Sequence, residues 1–141
     1  MTSFETIAEQ GQLASVTEFV GKAARDASFN ENDMLAVDLI VEEIFLNIAM
    51  HGYKDGPPGP VAIHCHSPET GVLMIRFQDW AEEFNPLAAN DGQSHQVPLS
   101  QRRVGGLGLI AVKSVAESIT YQRIENTNDL SIRMVRQPSI S

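Results

Sequence analysis

Glu43 and Asn47 stand four residues apart, a spacing that on a helix projects both side chains from one face about one turn apart. An amide oxygen is a hard, neutral ligand suited to Mg²⁺, which keeps several waters and takes its other oxygens from phosphates. A carboxylate one turn away can orient a metal-bound water or take a proton from an attacking hydroxyl. Amphipathic helices also carry such pairs as a plain solvated stripe. Asp79 closes an apolar run and is followed by Trp80-Ala81-Glu82-Glu83-Phe84-Asn85-Pro86. A buried carboxylate facing a cleft can accept from the exocyclic amino group of adenine, where guanine offers an oxygen acceptor. The bland alternative is an Asp that caps a turn.

The third feature is the glycine run Gly105-Gly106-Leu107-Gly108-Leu109. Glycines let backbone approach a ligand closely, and a helix opening there points unpaired N–H groups and partial positive charge at an anion. Arg102 and Arg103 precede it and could add charged donors. The run is neither a Walker A sequence nor the dinucleotide fingerprint, because no Lys-Ser or Lys-Thr follows and the spacing differs. Alone, it could equally mark a tight turn into a helix.

The elements that position these residues follow from periodicity. Ser3 to Ala8 alternates weakly, as a first strand would. Leu13, Val16, Phe19, Val20 and Ala23 recur at helical intervals within about 13–27. Asn30 followed by Asp33 is an N-cap signature, and Val37, Ile40, Val41, Ile44, Phe45 and Ile48 continue a helix that is expected to end near Gly52. Strands are expected at Val61–His66 and Val72–Phe77, with a turn over Ser67–Gly71. A polar, irregular stretch from about Glu82 to Arg103 has the length of a lid or binding loop. A third helix opens at the glycine run, and two more strands, about Ala116–Ile124 and Leu130–Val135, flank a polar turn at Glu125–Asp129. The pattern predicts an α+β fold, a two-layer α/β sandwich whose mixed, mostly antiparallel sheet carries helices on one face.

Composition bounds the function classes. The 141 residues fit one domain, 1–141, and 43% hydrophobic with 20% charged content is that of a globular chain. The formal charge of -8 argues against a nucleic-acid surface, which needs clustered Lys and Arg. Phosphate could still be held by helix N-termini, a metal ion and a few arginines. The single cysteine, Cys65, cannot form an intramolecular disulfide, no leader pattern opens the chain, and no apolar stretch reaches the ~20 residues of a membrane span. A cytoplasmic location without membrane association is the resulting expectation. His64 and His66 share one side of a probable-strand pattern but lack a third ligand by spacing, so they are expected to be ordinary sheet-face histidines.

The order of these features resembles the superfamily of gyrase, heat-shock chaperone, histidine kinase and mismatch-repair ATPases, which share the Bergerat nucleotide site. Four strings carry the resemblance: Val41-Glu42-Glu43-Ile44-Phe45-Leu46-Asn47, His51-Gly52-Tyr53, Asp79-Trp80-Ala81-Glu82-Glu83-Phe84-Asn85-Pro86 and Arg103-Val104-Gly105-Gly106-Leu107-Gly108-Leu109. Within that superfamily the chain looks most like the small anti-sigma-factor serine/threonine kinases. The resemblance implies ATP and Mg²⁺ as cofactors, Asn47 as the metal ligand, Glu43 as the catalytic carboxylate and Asp79 as the adenine reader. Gly105, Gly106 and Gly108 would hinge an ATP lid over about 82–104. His51, Ala81, Phe84, Arg103, Leu107 and Leu109, within the same strings, are expected around the nucleotide.

The implied activity is phosphorylation of a serine on a small anti-anti-sigma (STAS-type) partner, with a sigma factor as a further partner and a homodimer as the assembly. An ATP-binding partner-switching module with little or no kinase activity is the alternative. A histidine-kinase catalytic domain is a weaker fit, because no upstream helix pair carries a phosphoacceptor His. The chain departs from the family pattern at three positions. Ala81 stands where the family has Gly, Leu46 where many members have Thr or Ser, and Glu83 where the family has Pro. None of these removes a charged or metal-binding group.

Overall fold

The computed structural model describes residues 1–53, 56–89 and 112–138. In chain order these form β1 (Thr2–Ile7), a 3-10 turn (Gln10–Gln12), α1 (Leu13–Asp26), α2 (Glu31–Asn47) and a π turn (Ile48–Gly52). There follow β2 (Pro60–His66), β3 (Val72–Asp79), the short α3 (Pro86–Ala89), β4 (Ser118–Ile124) and β5 (Thr127–Val135). Residues 112–115 make a further helical turn, the part of the expected third helix that falls within the described residues.

The five strands form one sheet in the order β1-β2-β3-β5-β4, and every pairing among them is antiparallel. Alternation along each strand sends one set of side chains toward the helices and the other away. The inward set includes Ile63, Leu73, Ile75, Phe77 and Ile132, each no more than 1% exposed. Against them lie Val16, Val20 and Ala24 of α1 and Val37, Ile40, Val41, Ile44 and Phe45 of α2, at the three- and four-residue spacing of helical faces. The α+β sandwich expected from the sequence is therefore the observed architecture. No described helix is long and apolar enough to cross a membrane.

Local chemistry explains where the helices begin and end. Helix α1 ends in a Schellman arrangement: Ser28 N–H donates to Arg25 O and Phe29 N–H to Ala24 O, both at 3.0 Å. Ser28 itself sits at φ 71°, the left-handed position that glycine usually fills. Helix α2 opens with a reciprocal capping box. Asp33 N–H donates to Asn30 Oδ1 and Asn30 N–H to Asp33 Oδ2, each at 2.9 Å. The other Asp33 oxygen accepts from Gln137 N–H at 2.9 Å, so the chain beyond β5 is tied to the start of α2.

Two of the boundaries that differ from the sequence expectation shape the site. The α-helix stops at Asn47, and the residues up to Gly52 continue as a π turn, which widens the coil by one residue per turn. Strand β5 starts at Thr127, not Leu130, so the turn shrinks to Glu125-Asn126. Thr127, Asn128 and Asp129 are polar yet buried, because each is given a partner. Thr127 Oγ1 donates to Ile124 O at 2.8 Å, Asp129 pairs with Arg76, and Asn128 turns into the site described next.

Candidate nucleotide site

At one end of the sandwich, α2 and its π turn lie over the ends of β3 and β5 and leave a cavity of about 50 Å³. Ile44, Ile48, Phe77 and Leu130 give it apolar walls, and Asn47, His51, Asp79, Tyr121 and Asn128 give it polar groups. Phe84 and Pro86, on the segment leaving β3, line it from the remaining side. A largely apolar wall with a few convergent polar groups is the usual form of a small-molecule site.

Asn47 reaches the cavity because it is the last α-helical residue of α2, and His51 because the π turn carries the coil onward by one more turn. Asp79 arrives as the last residue of β3, on the inward side of the strand. It is 7% exposed, and its Oδ1 accepts from Ala81 N–H at 3.0 Å and from Asn128 Nδ2 at 2.9 Å. Burial raises the Asp79 pKa from its ordinary value, and the nearby Asp129 charge raises it further. The Asn128 and Ala81 donors and the Arg123 charge oppose that rise. Arg123 of β4 also donates to Ala81 O at 2.9 Å, pinning the turn that follows Asp79.

The sequence-predicted residues divide into three groups. Asn47, His51, Asp79 and Phe84 meet on the cavity. Ala81 lies behind it, 5% exposed, and lines a neighbouring groove of about 240 Å³ with Gly52, Tyr53, Trp80 and Glu82. Its methyl lies near Gly52: a Cβ added to Gly52 would stand 3.5 Å from it, an ordinary van der Waals separation. Glu43 sits half-buried a turn before Asn47 and does not line the cavity; burial, then the Glu42 charge, raises its pKa. Arg103, Gly105, Gly106, Leu107, Gly108 and Leu109, and with them most of the expected lid, lie outside the described residues.

Asn128 and Tyr121 are cavity residues that sequence reasoning missed. Asn128 was hidden in a polar run that reads as a turn, and Tyr121 lies within the expected strand Ala116–Ile124 with no motif to mark it. The signal that could have found Asn128 is its distance from the hairpin tip: a two-residue turn places it two positions into the strand.

Asn47 fits a magnesium site by its chemistry, because its side chain carries a neutral hard oxygen and lines the cavity. Such an ion, when bound, would neutralise phosphate charge. His64 contacts Ser3 Oγ at 2.7 Å and Gln78 Oε1 at 3.2 Å, and no group of three His, Cys, Asp or Glu that could hold a metal occurs among the described residues. Cys65 is buried, and burial pushes its thiol up to about 12, so it is a core residue and no nucleophile at neutral pH.

Residues 6–135 match the family model described as the histidine kinase-like ATPase domain. No curated protein matches the chain.

Proposed function

Because the chain belongs to the histidine kinase-like ATPase family, we propose that it binds ATP in this cavity and acts as an anti-sigma regulatory factor, a protein serine kinase whose substrate is a small anti-anti-sigma partner of the STAS type. The observation that carries the nucleotide assignment is the convergence of Asn47 and Asp79 on one cavity from different elements. Asp79 would accept from the exocyclic amino group of the base, and the apolar walls from Ile44, Ile48, Phe77 and Leu130 would hold its ring. Asn47 would hold Mg²⁺, which would supply positive charge against the phosphates. Glu43, one turn back on α2, would take the proton from the partner's serine hydroxyl as its oxygen attacks the γ-phosphorus, the β–γ P–O bond breaks and ADP leaves. Positioning and charge neutralisation would supply most of the rate, as in phosphoryl transfer generally. Sequestration of a sigma factor and assembly as a homodimer belong to the same reading.

A second reading, an ATP-binding partner-switching module with little or no turnover, draws on the placement of Glu43 away from the cavity wall. The mass of a candidate STAS partner after incubation with Mg·ATP separates the two. The kinase reading expects a phosphate-sized mass gain with the wild-type chain and none with Glu43→Ala, while both bind ATP and partner. Unchanged partner mass with wild type, across several candidate partners that bind it, rejects the kinase and leaves the module.

A further inference from the structure

Asp79 and Asn128 are facing partners in the β3–β5 register, so their side chains emerge on the same side of the sheet. The Asn128 amide uses its whole hydrogen-bonding capacity. Its Nδ2 donates to Asp79 Oδ1 at 2.9 Å and to Glu82 O at 3.0 Å. Its Oδ1 accepts from Phe84 N–H at 3.1 Å and from the Tyr121 hydroxyl at 2.6 Å. Backbone N–H of Phe84 can only donate, which fixes which end of the amide is the oxygen. With Ala81 N–H at 3.0 Å, Asp79 Oδ1 then has two donors, and Oδ2 is the oxygen left for a ligand.

We propose that Asn128 is the positioning residue for the base-reading carboxylate: it holds Asp79 as an acceptor with Oδ2 presented to the cavity, and so sets a preference for 6-amino over 6-oxo purines. The proposal rests on the nucleotide reading of the cavity. Its physical basis is competition between burial and hydrogen bonding. Burial favours a neutral carboxyl, which could also donate to the O6 of guanine; donors aimed at Oδ1 favour the ionised, acceptor-only form. The same amide clamps Glu82 and Phe84, so the segment carrying Phe84 and Pro86 to the cavity is held by the group that orients Asp79. Among the described residues, the other titratable groups around Asp79 are Arg123 and Tyr121 on β4, Asp129 on β5, Tyr53 after the π turn and His51 on the π turn, and Glu83 on the leaving segment faces Tyr121.

Calorimetry of the full chain with ADP and with GDP, from about pH 6 to pH 9, tests this in wild type, Asp79→Asn, Asn128→Asp and Asn128→Leu. In Asn128→Asp two carboxyl groups face each other and share a proton. At the acid end that proton replaces the amide donor and ADP binding persists, which also shows that the variant folds. As pH rises both groups ionise and repel, and ADP affinity falls about tenfold or more relative to wild type at the same pH. In Asn128→Leu the preference for ADP over GDP drops by about tenfold. An Asn128→Asp profile that coincides with wild type in both ADP affinity and pH dependence overturns the proposal; if Asn128→Leu does not fold, that profile alone decides. Failure of wild type to bind ADP, or unchanged ADP binding in Asp79→Asn, overturns the nucleotide reading itself and the proposal with it.

Discussion

The ring of Tyr53 lies so close over Gly59 that a Cβ there would fall 2.3 Å from Cε1 and 2.6 Å from Cζ. At the end of that ring the hydroxyl donates to Pro60 O at 2.6 Å and accepts from Trp80 N–H at 2.8 Å. One side chain thus ties the exit of the π turn to the start of β2 and the end of β3, next to Asp79.

Gly59→Ala is expected to drive the ring out and break both hydrogen bonds, costing about 1–3 kcal/mol. Tyr53→Phe keeps the packing and loses only the hydroxyl, at about 1 kcal/mol. Thermal or urea unfolding of the two variants checks the order; a Gly59→Ala protein as stable as wild type would mean the ring is not held there.

The raised pKa of Asp79 has a definite sign in stability. In the pH range between its ordinary value and its raised native value, the folded state binds more protons at this site than the unfolded state. Stability from this group is therefore greatest below the ordinary value and declines as pH rises through the native value. Asp79→Asn removes that dependence, so the stability of the variant relative to wild type should grow as pH climbs through the window. Parallel stability curves for the two proteins would contradict the assignment.

Ser28 holds a left-handed backbone at φ 71° to close α1. The left-handed region costs a residue with a Cβ about 1–2 kcal/mol, part of which glycine returns through its freer unfolded state. Ser28→Gly is expected to raise stability by about 0.5–1 kcal/mol. Its hydrogen bond from Arg136 goes to the backbone carbonyl, at 3.2 Å, and survives the change. A lower melting temperature for the glycine variant would argue against the Schellman geometry.

Asp33 serves two functions at 5% exposure, completing the α2 cap and receiving Gln137 N–H. Asn30→Ala removes the cap acceptor alone and should cost about 1 kcal/mol. Asp33→Ala also strands two N–H donors and should cost more, about 2 kcal/mol. Equal losses in equilibrium unfolding would show that the Gln137 tie contributes nothing.

Helices and apolar strands were legible because a single physical signal, the spacing of buried side chains, dictates both: Val16 and Val20 on α1 and Ile75 and Phe77 on β3 behave as their periodicity requires. The cap at Asn30 was legible for a local reason, since its partner is three residues away. The start of β5 was not, because Asn128 is stable in a strand only through Asp79, Glu82, Phe84 and Tyr121, and no local pattern announces those partners. The π turn was invisible for a related reason: a widened coil keeps the composition of the helix it extends. At the cavity, Asn47, His51, Asp79 and Phe84 came from motif order, whereas the distance of Glu43 from the wall depends on how α2 is rotated over the sheet.

The strand order β1-β2-β3-β5-β4 places the β4–β5 hairpin beside β3, and the amide that braces Asp79 arrives 49 residues after it. During synthesis, Glu43, Asn47 and Asp79 are all made before any donor from β5 exists. A nascent chain released only through β4 would hold the nucleotide motifs without an assembled pocket. Competence to bind would thus wait for the docking of β5, giving chains that lack it no means of occupying themselves with nucleotide.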